Sequence, residues 1–179
     1  RFSAIPDMEP AVECADCHNP HRARAVDAQA PLVRGVMEGV AGVDAGGSPV
    51  AEAAFEYQVC FKCHGESNSP GFRAIPRKII SDDLIYEFSP SSPSFHPVET
   101  AGLNPSVPSL IPPLNESSII YCTDCHSNDS SEPGLRGPHG SNNEFLLARK
   151  YTTGDNVAES PDAYALCYGC HNRNSFISE

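Results

Sequence analysis

The chain of 179 residues has a formal charge of −11, no tryptophan, 17 prolines and 13 glycines. So acidic a surface excludes nucleic acid as a partner, and the lack of any run of about 18 apolar residues excludes a membrane-spanning helix. Few aromatic side chains and many helix breakers leave little for an ordinary core, so bound apolar cofactors are expected to supply much of the interior.

In chain order, Arg1 opens the sequence without a basic and then apolar leader, as expected of an exported chain whose signal peptide has been removed. The first Cys-x-x-Cys-His stretch is Cys14–His18, followed at once by His21. Residues 36–50 hold Gly39, Gly42, Gly46 and Gly47 and are predicted to make tight turns. From Ala51, helix formers with Phe55, Val59 and Phe61 predict a short helix ending in the second stretch, Cys60–His64. Residues 88–115 contain seven prolines, which exclude helix and disfavour sheet. Their apolar members, among them Phe95, Leu103, Leu110 and Ile111, together with His96, predict an ordered segment lying along cofactor faces. Residues 116–126 read as a helix entering the third stretch, Cys122–His126. His139 stands in the tight loop Gly137-Pro138-His139-Gly140, and residues 143–150 read as one more short helix. Ser160, Pro161 and Asp162 form a helix-start signal before the fourth stretch, Cys167–His171. Regular strands are expected to be scarce.

The four stretches use all eight cysteines. Two thiols separated by two residues can reach the two vinyl groups on one edge of a haem, and the next residue's imidazole can turn in to bind iron. The pairs Cys14/Cys17, Cys60/Cys63, Cys122/Cys125 and Cys167/Cys170 are therefore candidate attachment points for four covalent haem c groups, with His18, His64, His126 and His171 as proximal ligands. Structural zinc is the competing use of paired cysteines, but zinc knuckles need no histidine directly after each pair. Free redox dithiols fit poorly, since no βαβ pattern surrounds the motifs.

The remaining histidines, His21, His96 and His139, are candidate distal ligands. His21 lies three residues after His18, so both side chains leave nearly the same face of a short helix, and His21 is expected to serve a different haem. Seven histidines for eight axial positions leave one haem short. Met37 in its glycine-rich loop is the preferred eighth ligand, with Met8 as the alternative.

The motifs CADCHNPH, EYQVCFKCHG, SFHPVE, CTDCHS followed by GPHGS, and YALCYGCHNRNS resemble the multihaem c-type cytochromes with doubled haem-binding motifs. The resemblance implies electron carriage across the periplasm or outward from the cell, with little regular secondary structure and closely stacked haems. Some tetrahaem relatives polymerise into extracellular filaments in which a histidine of one subunit ligates a haem of the next.

The expectation is one elongated domain over residues 1–179, mostly irregular coil with a few short α-helices around four covalent haems and little or no β-sheet. Motif starts at 14, 60, 122 and 167, reaching almost to both ends, favour an electron-transferring filament subunit over a diffusing periplasmic carrier. The expected place is the cell surface or extracellular space, with the periplasm as alternative. Expected partners are further copies of the chain, other redox proteins and extracellular acceptors. No enzymatic reaction is expected, because the Cys-x-x-Cys-Lys motif frequent in multihaem reductases is absent; the remaining alternative is a small multihaem reductase or haem sensor using the under-ligated haem.

Overall fold

Helix breakers keep the regular elements short. The computed structural model describes residues 12–65, 83–130 and 136–178, and the chain divides into two units, Arg1–Glu99 and Thr100–Glu179. Most described residues are coil and turn, with five short α-helices and one two-stranded sheet.

In the first unit, α1 (Cys14–Cys17) is a single turn whose first amide, that of Glu13, donates to the Asp16 carboxylate at 2.8 Å. A 3₁₀ turn follows at Gly35–Met37. Strands β1 (Gly42–Val43) and β2 (Pro49–Val50) pair antiparallel, Gly42 opposite Val50. Their turn is closed by Asp44 Oδ1, which accepts from the amides of Gly46 (2.9 Å) and Ser48 (2.8 Å), while Gly47 takes φ +77°. Helix α2 (Glu56–His64) starts where Gln58 Oε1 accepts from Ala54 N (2.8 Å) and Phe55 N (3.2 Å), a reach-back that satisfies otherwise orphaned amides. A Cβ on Gly42 would lie 2.8 Å from Gln58 O, so β1 rests directly on the α2 backbone. Val40, Ala53 and Val59 form the small core, and Val43 and Phe61 are fully enclosed. Glu56, 1 % exposed at the first position of α2, faces Arg34 Nε at 3.9 Å. Helix α3 (Leu84–Phe88) is capped by Asp83, whose Oδ1 accepts from Ile85 N at 3.0 Å.

The second unit is built likewise. Helix α4 (Cys122–Cys125) begins with Tyr121 N donating to Asp124 Oδ2 at 2.9 Å. A 3₁₀ turn at Glu144–Leu146 follows, and α5 (Arg173–Ser178) comes last. Residues 147–152 tie the unit together by backbone bonds: Ala148 N to Cys125 O (2.8 Å), Leu166 N to Lys150 O (3.0 Å) and Thr152 N to Ala163 O (2.8 Å). The proline-rich stretch docks onto the fourth motif, with Ile111 N donating to Cys170 O at 2.9 Å and Asn172 N to Ser109 O at 2.6 Å.

The predicted coil-dominated fold with little sheet is what the structure shows. The helix ending in the second motif is present, the glycine-rich turns are as expected, and residues 88–115 are ordered as expected. Three helix expectations are corrected. Residues 116–121 are not helical, because Asn115 Oδ1 takes Ser117 N in a tight turn. Residues 160–166 form a train of turns: the capping bond from Ala163 N to Ser160 Oγ is made at 3.1 Å, yet Leu166 N leaves the helix ladder for Lys150 O. Residues 143–150 reach only the 3₁₀ turn, since Phe145 and Leu146 sit at φ +58° and +56°, outside helical space.

Candidate haem sites

The two units treat their first motif in the same way. After α1, the His18 Nδ1–H donates to the carbonyl of Val36 at 2.8 Å; after α4, the His126 Nδ1–H donates to the carbonyl of Phe145 at 2.9 Å. A carbonyl only accepts, so the proton is on Nδ1 and the lone pair on Nε2. That is the tautomer and orientation of a metal-ligating histidine held from behind. Each anchoring carbonyl lies within a 3₁₀ turn, 18 residues beyond His18 and 19 beyond His126. In the fourth motif, His171 Nδ1 meets the hydroxyl of Ser109, a residue 1 % exposed, at 3.0 Å. His64 closes α2 and is exposed.

Each unit also brings its two motifs together. Lys62, inside the second motif, donates its ammonium to the carbonyl of Asp16 in the first, and its charge acts on the thiols of both Cys17 and Cys63. In the second unit Cys125 lies within electrostatic reach of Cys167 and Cys170. Burial, as the leading cause, pushes up the thiols of Cys17, Cys63, Cys167 and Cys170, and that of Cys125 to about 11. Reactive dithiols need the opposite shift. No cysteine is in a disulfide, and among the described residues no three His, Cys, Asp or Glu side chains converge.

His139 sits between Gly137 (φ +93°) and Gly140 (φ +131°), and its Nδ1–H donates to Arg136 O at 3.0 Å, again leaving the lone pair on Nε2. His21 and His96 are exposed; His21 N donates to Asn19 Oδ1 at 3.0 Å, and Val98 N donates to His96 O at 2.9 Å. Met37 packs beside the Val40–Ala53–Val59 cluster together with Cys17 and Val33. Met8 lies outside the described residues. The anchoring carbonyls of Val36 and Phe145, and the residues Ser109, Lys62 and Arg149, are not evident as motifs; the only sequence signal for the carbonyls is the near-equal spacing after His18 and His126.

The surroundings fit a haem. Val36, Phe145 and Leu146 stand 41 %, 44 % and 43 % exposed beside the anchored histidines, apolar surface that a porphyrin face would cover. A cleft of about 670 Å³ opens beside His171, lined among others by Ile111, Arg149, Ala165 and Tyr168. When bound, haem supplies an iron that changes by one electron between ferric and ferrous. The chain's part is to hold it by two thioethers, orient the proximal imidazole and exclude water from one face.

The anchor can be tested through Gly35, where a Cβ would fall 2.7 Å from Arg24 O and 3.0 Å from Val26 O, both rigid backbone. Gly35→Ala is expected to displace the Val36 carbonyl and destabilise the holoprotein by about 1–3 kcal/mol in denaturant unfolding; an unchanged midpoint would show that His18 does not depend on this turn. A second test uses Glu99, whose Oε1 is buried without a hydrogen-bond partner among the described residues. Burial pushes its carboxyl up from 4.5 to about 7, and its charge in turn helps raise the neighbouring Tyr57. The folded state thus holds this proton more tightly than the unfolded chain. Its contribution is full below pH 4.5 and is lost as pH rises through about 7. Thermal midpoints across that window should fall with pH in the native chain and flatten in Glu99→Gln; equal slopes would contradict the assignment.

Comparison with protein families finds the doubled CXXCH motif over residues 112–176, which contain the third and fourth motifs. No curated protein and no solved structure matches the chain. Among the described residues no helix is long and apolar enough to cross a membrane. The doubled motif indicates covalently bound haem c, a cofactor attached after export, and with the paired geometry it supports a multihaem c-type cytochrome that transfers electrons.

Proposed function

We propose that the chain is a four-haem electron conduit, exported to the cell surface or beyond, whose copies assemble into a filament. One observation carries the conduit reading: each unit brings two attachment motifs together, Lys62 bridging to Asp16 in one and Cys125 neighbouring Cys167 and Cys170 in the other. Two haems seated so closely exchange electrons readily, and no substrate chemistry is required. His18, His64, His126 and His171 serve as proximal ligands and His21, His96 and His139 as distal ones. Residues 100–179 contain three histidines and no methionine, so the unfilled axial position falls there if each unit ligates its own haems. Met37 becomes a ligand only if it leaves its packed cluster.

The even division of motifs, two to each unit, suits copies that continue a haem row from one to the next. The charge of −11 opposes such assembly, so joints need apolar contact, cations or shared iron ligands. Electron microscopy of native material, paired with an electrode titration, tests both parts. Filaments with a continuous haem row and four one-electron steps are expected. Dispersed particles with four haems would make the protein a soluble carrier, and fewer redox-active haems would overturn the conduit.

A further inference from the structure

Among the described residues, each unit holds a cation where its two attachment motifs meet, and the two cations come from unrelated places in the chain. In the first unit it is Lys62, between Cys60 and Cys63, bonded to the Asp16 carbonyl of the other motif. The corresponding position in the fourth motif is Gly169, and a Cβ there would fall 1.8 Å from Arg149 Nη1. Arg149 therefore occupies the space that a side chain at 169 would need. It is delivered by a segment bonded to the third motif through Ala148 N to Cys125 O and to the residue just before the fourth through Leu166 N to Lys150 O. Four residues beyond the anchoring carbonyl stands Val40 in the first unit and Arg149 in the second. Arg22, Arg24 and Arg173 are paired with Glu52, Glu38 and Glu159, whereas Lys62 and Arg149 form no ion pair among the described residues.

We propose that Lys62 and Arg149 are equivalent electrostatic elements, each setting a positive charge against the haem pair of its unit and favouring the ferrous state there. Each offsets the carboxylate of Asp16 or Asp124 that acts on the same thiols. The inference rests on the conduit reading. Each haem takes one electron from the electrode or donor, no proton moves, and the fixed cation offsets the added negative charge. Supplying that cation in both units removes one source of difference in potential between the two pairs.

The test is a spectroelectrochemical titration of the holoprotein, with haem content counted by intact mass. In Lys62→Gln and in Arg149→Gln, two of the four haems should show about a tenfold lower ferrous-to-ferric ratio at fixed potential, about 59 mV for a one-electron couple. Lys62→Arg should behave as the native chain. Adding Gly169→Lys to Arg149→Gln should restore the native curve, because it rebuilds in the second unit the arrangement of the first. Unshifted curves with all haems bound would overturn the proposal, and so would an equal shift from Arg22→Gln at the surface. If Lys62→Gln fails to mature, Arg149→Gln and its Gly169→Lys partner decide the matter. Absence of haem from the native chain would instead overturn the conduit reading itself.

Discussion

Replacing Cys122 and Cys125 together by alanine is expected to yield a chain with three covalent haems in place of four. The two thioethers would be the covalent hold on that haem, and the neighbouring helix turn presents both cysteines: α4 is four residues long and begins and ends on them. The loss should extend beyond the cofactor to the packing around it. His126 would lose the iron that its Phe145 anchor prepares it for, and Phe145 and Leu146 would remain 44 % and 43 % exposed. Intact mass should show one haem fewer, and voltammetry one step fewer, with the remaining haem of that unit slower to exchange electrons. Four haems persisting in this variant would mean that the third motif is not an attachment site.

Arg34→Met should be the most damaging substitution outside the motifs. Glu56 is almost wholly buried, with its Oε2 3.9 Å from Arg34 Nε, whose side chain is itself only 13 % exposed. The start of α2 favours a negative charge at that place, but that is worth far less than removing the cation costs. Taking the cation from a buried pair weakens the compensation of the remaining charge, at a cost of up to about 3–5 kcal/mol. Replacing both residues, with Glu56→Gln added to Arg34→Met, should recover much of the loss, because no charge is then left in the interior. Guanidinium unfolding of the holoprotein measures both. A single variant within about 0.5 kcal/mol of the native chain would show that Glu56 is neutral or reached by water.

Much of the candidate site is readable in the sequence, because haem attachment is a local covalent rule: the two cysteines and the histidine must sit within five consecutive residues. The helix ending in His64 is readable for a similar reason, since its formers and its Gly65 stop are contiguous. The helix expected before the fourth motif fails because Leu166 N pairs with Lys150 O, a partner 16 residues away that no local propensity can register. The anchors behind His18 and His126 are main-chain carbonyls, and a carbonyl carries no residue signature. The exchange of Lys62 for Arg149 is invisible for a further reason: aligned motifs show only that a lysine has become a glycine. The replacement cation arrives from a different segment, through space that the glycine leaves open.

The most direct measurement is the intact mass of the purified protein under denaturing conditions, where thioether-bound haem stays attached while zinc and loosely held ligands leave. The mass of the polypeptide plus four haems, with none of the eight cysteines open to alkylation, is the predicted result. A haem-free mass with thiols open to alkylation would contradict it and return the paired cysteines to a metal or redox role.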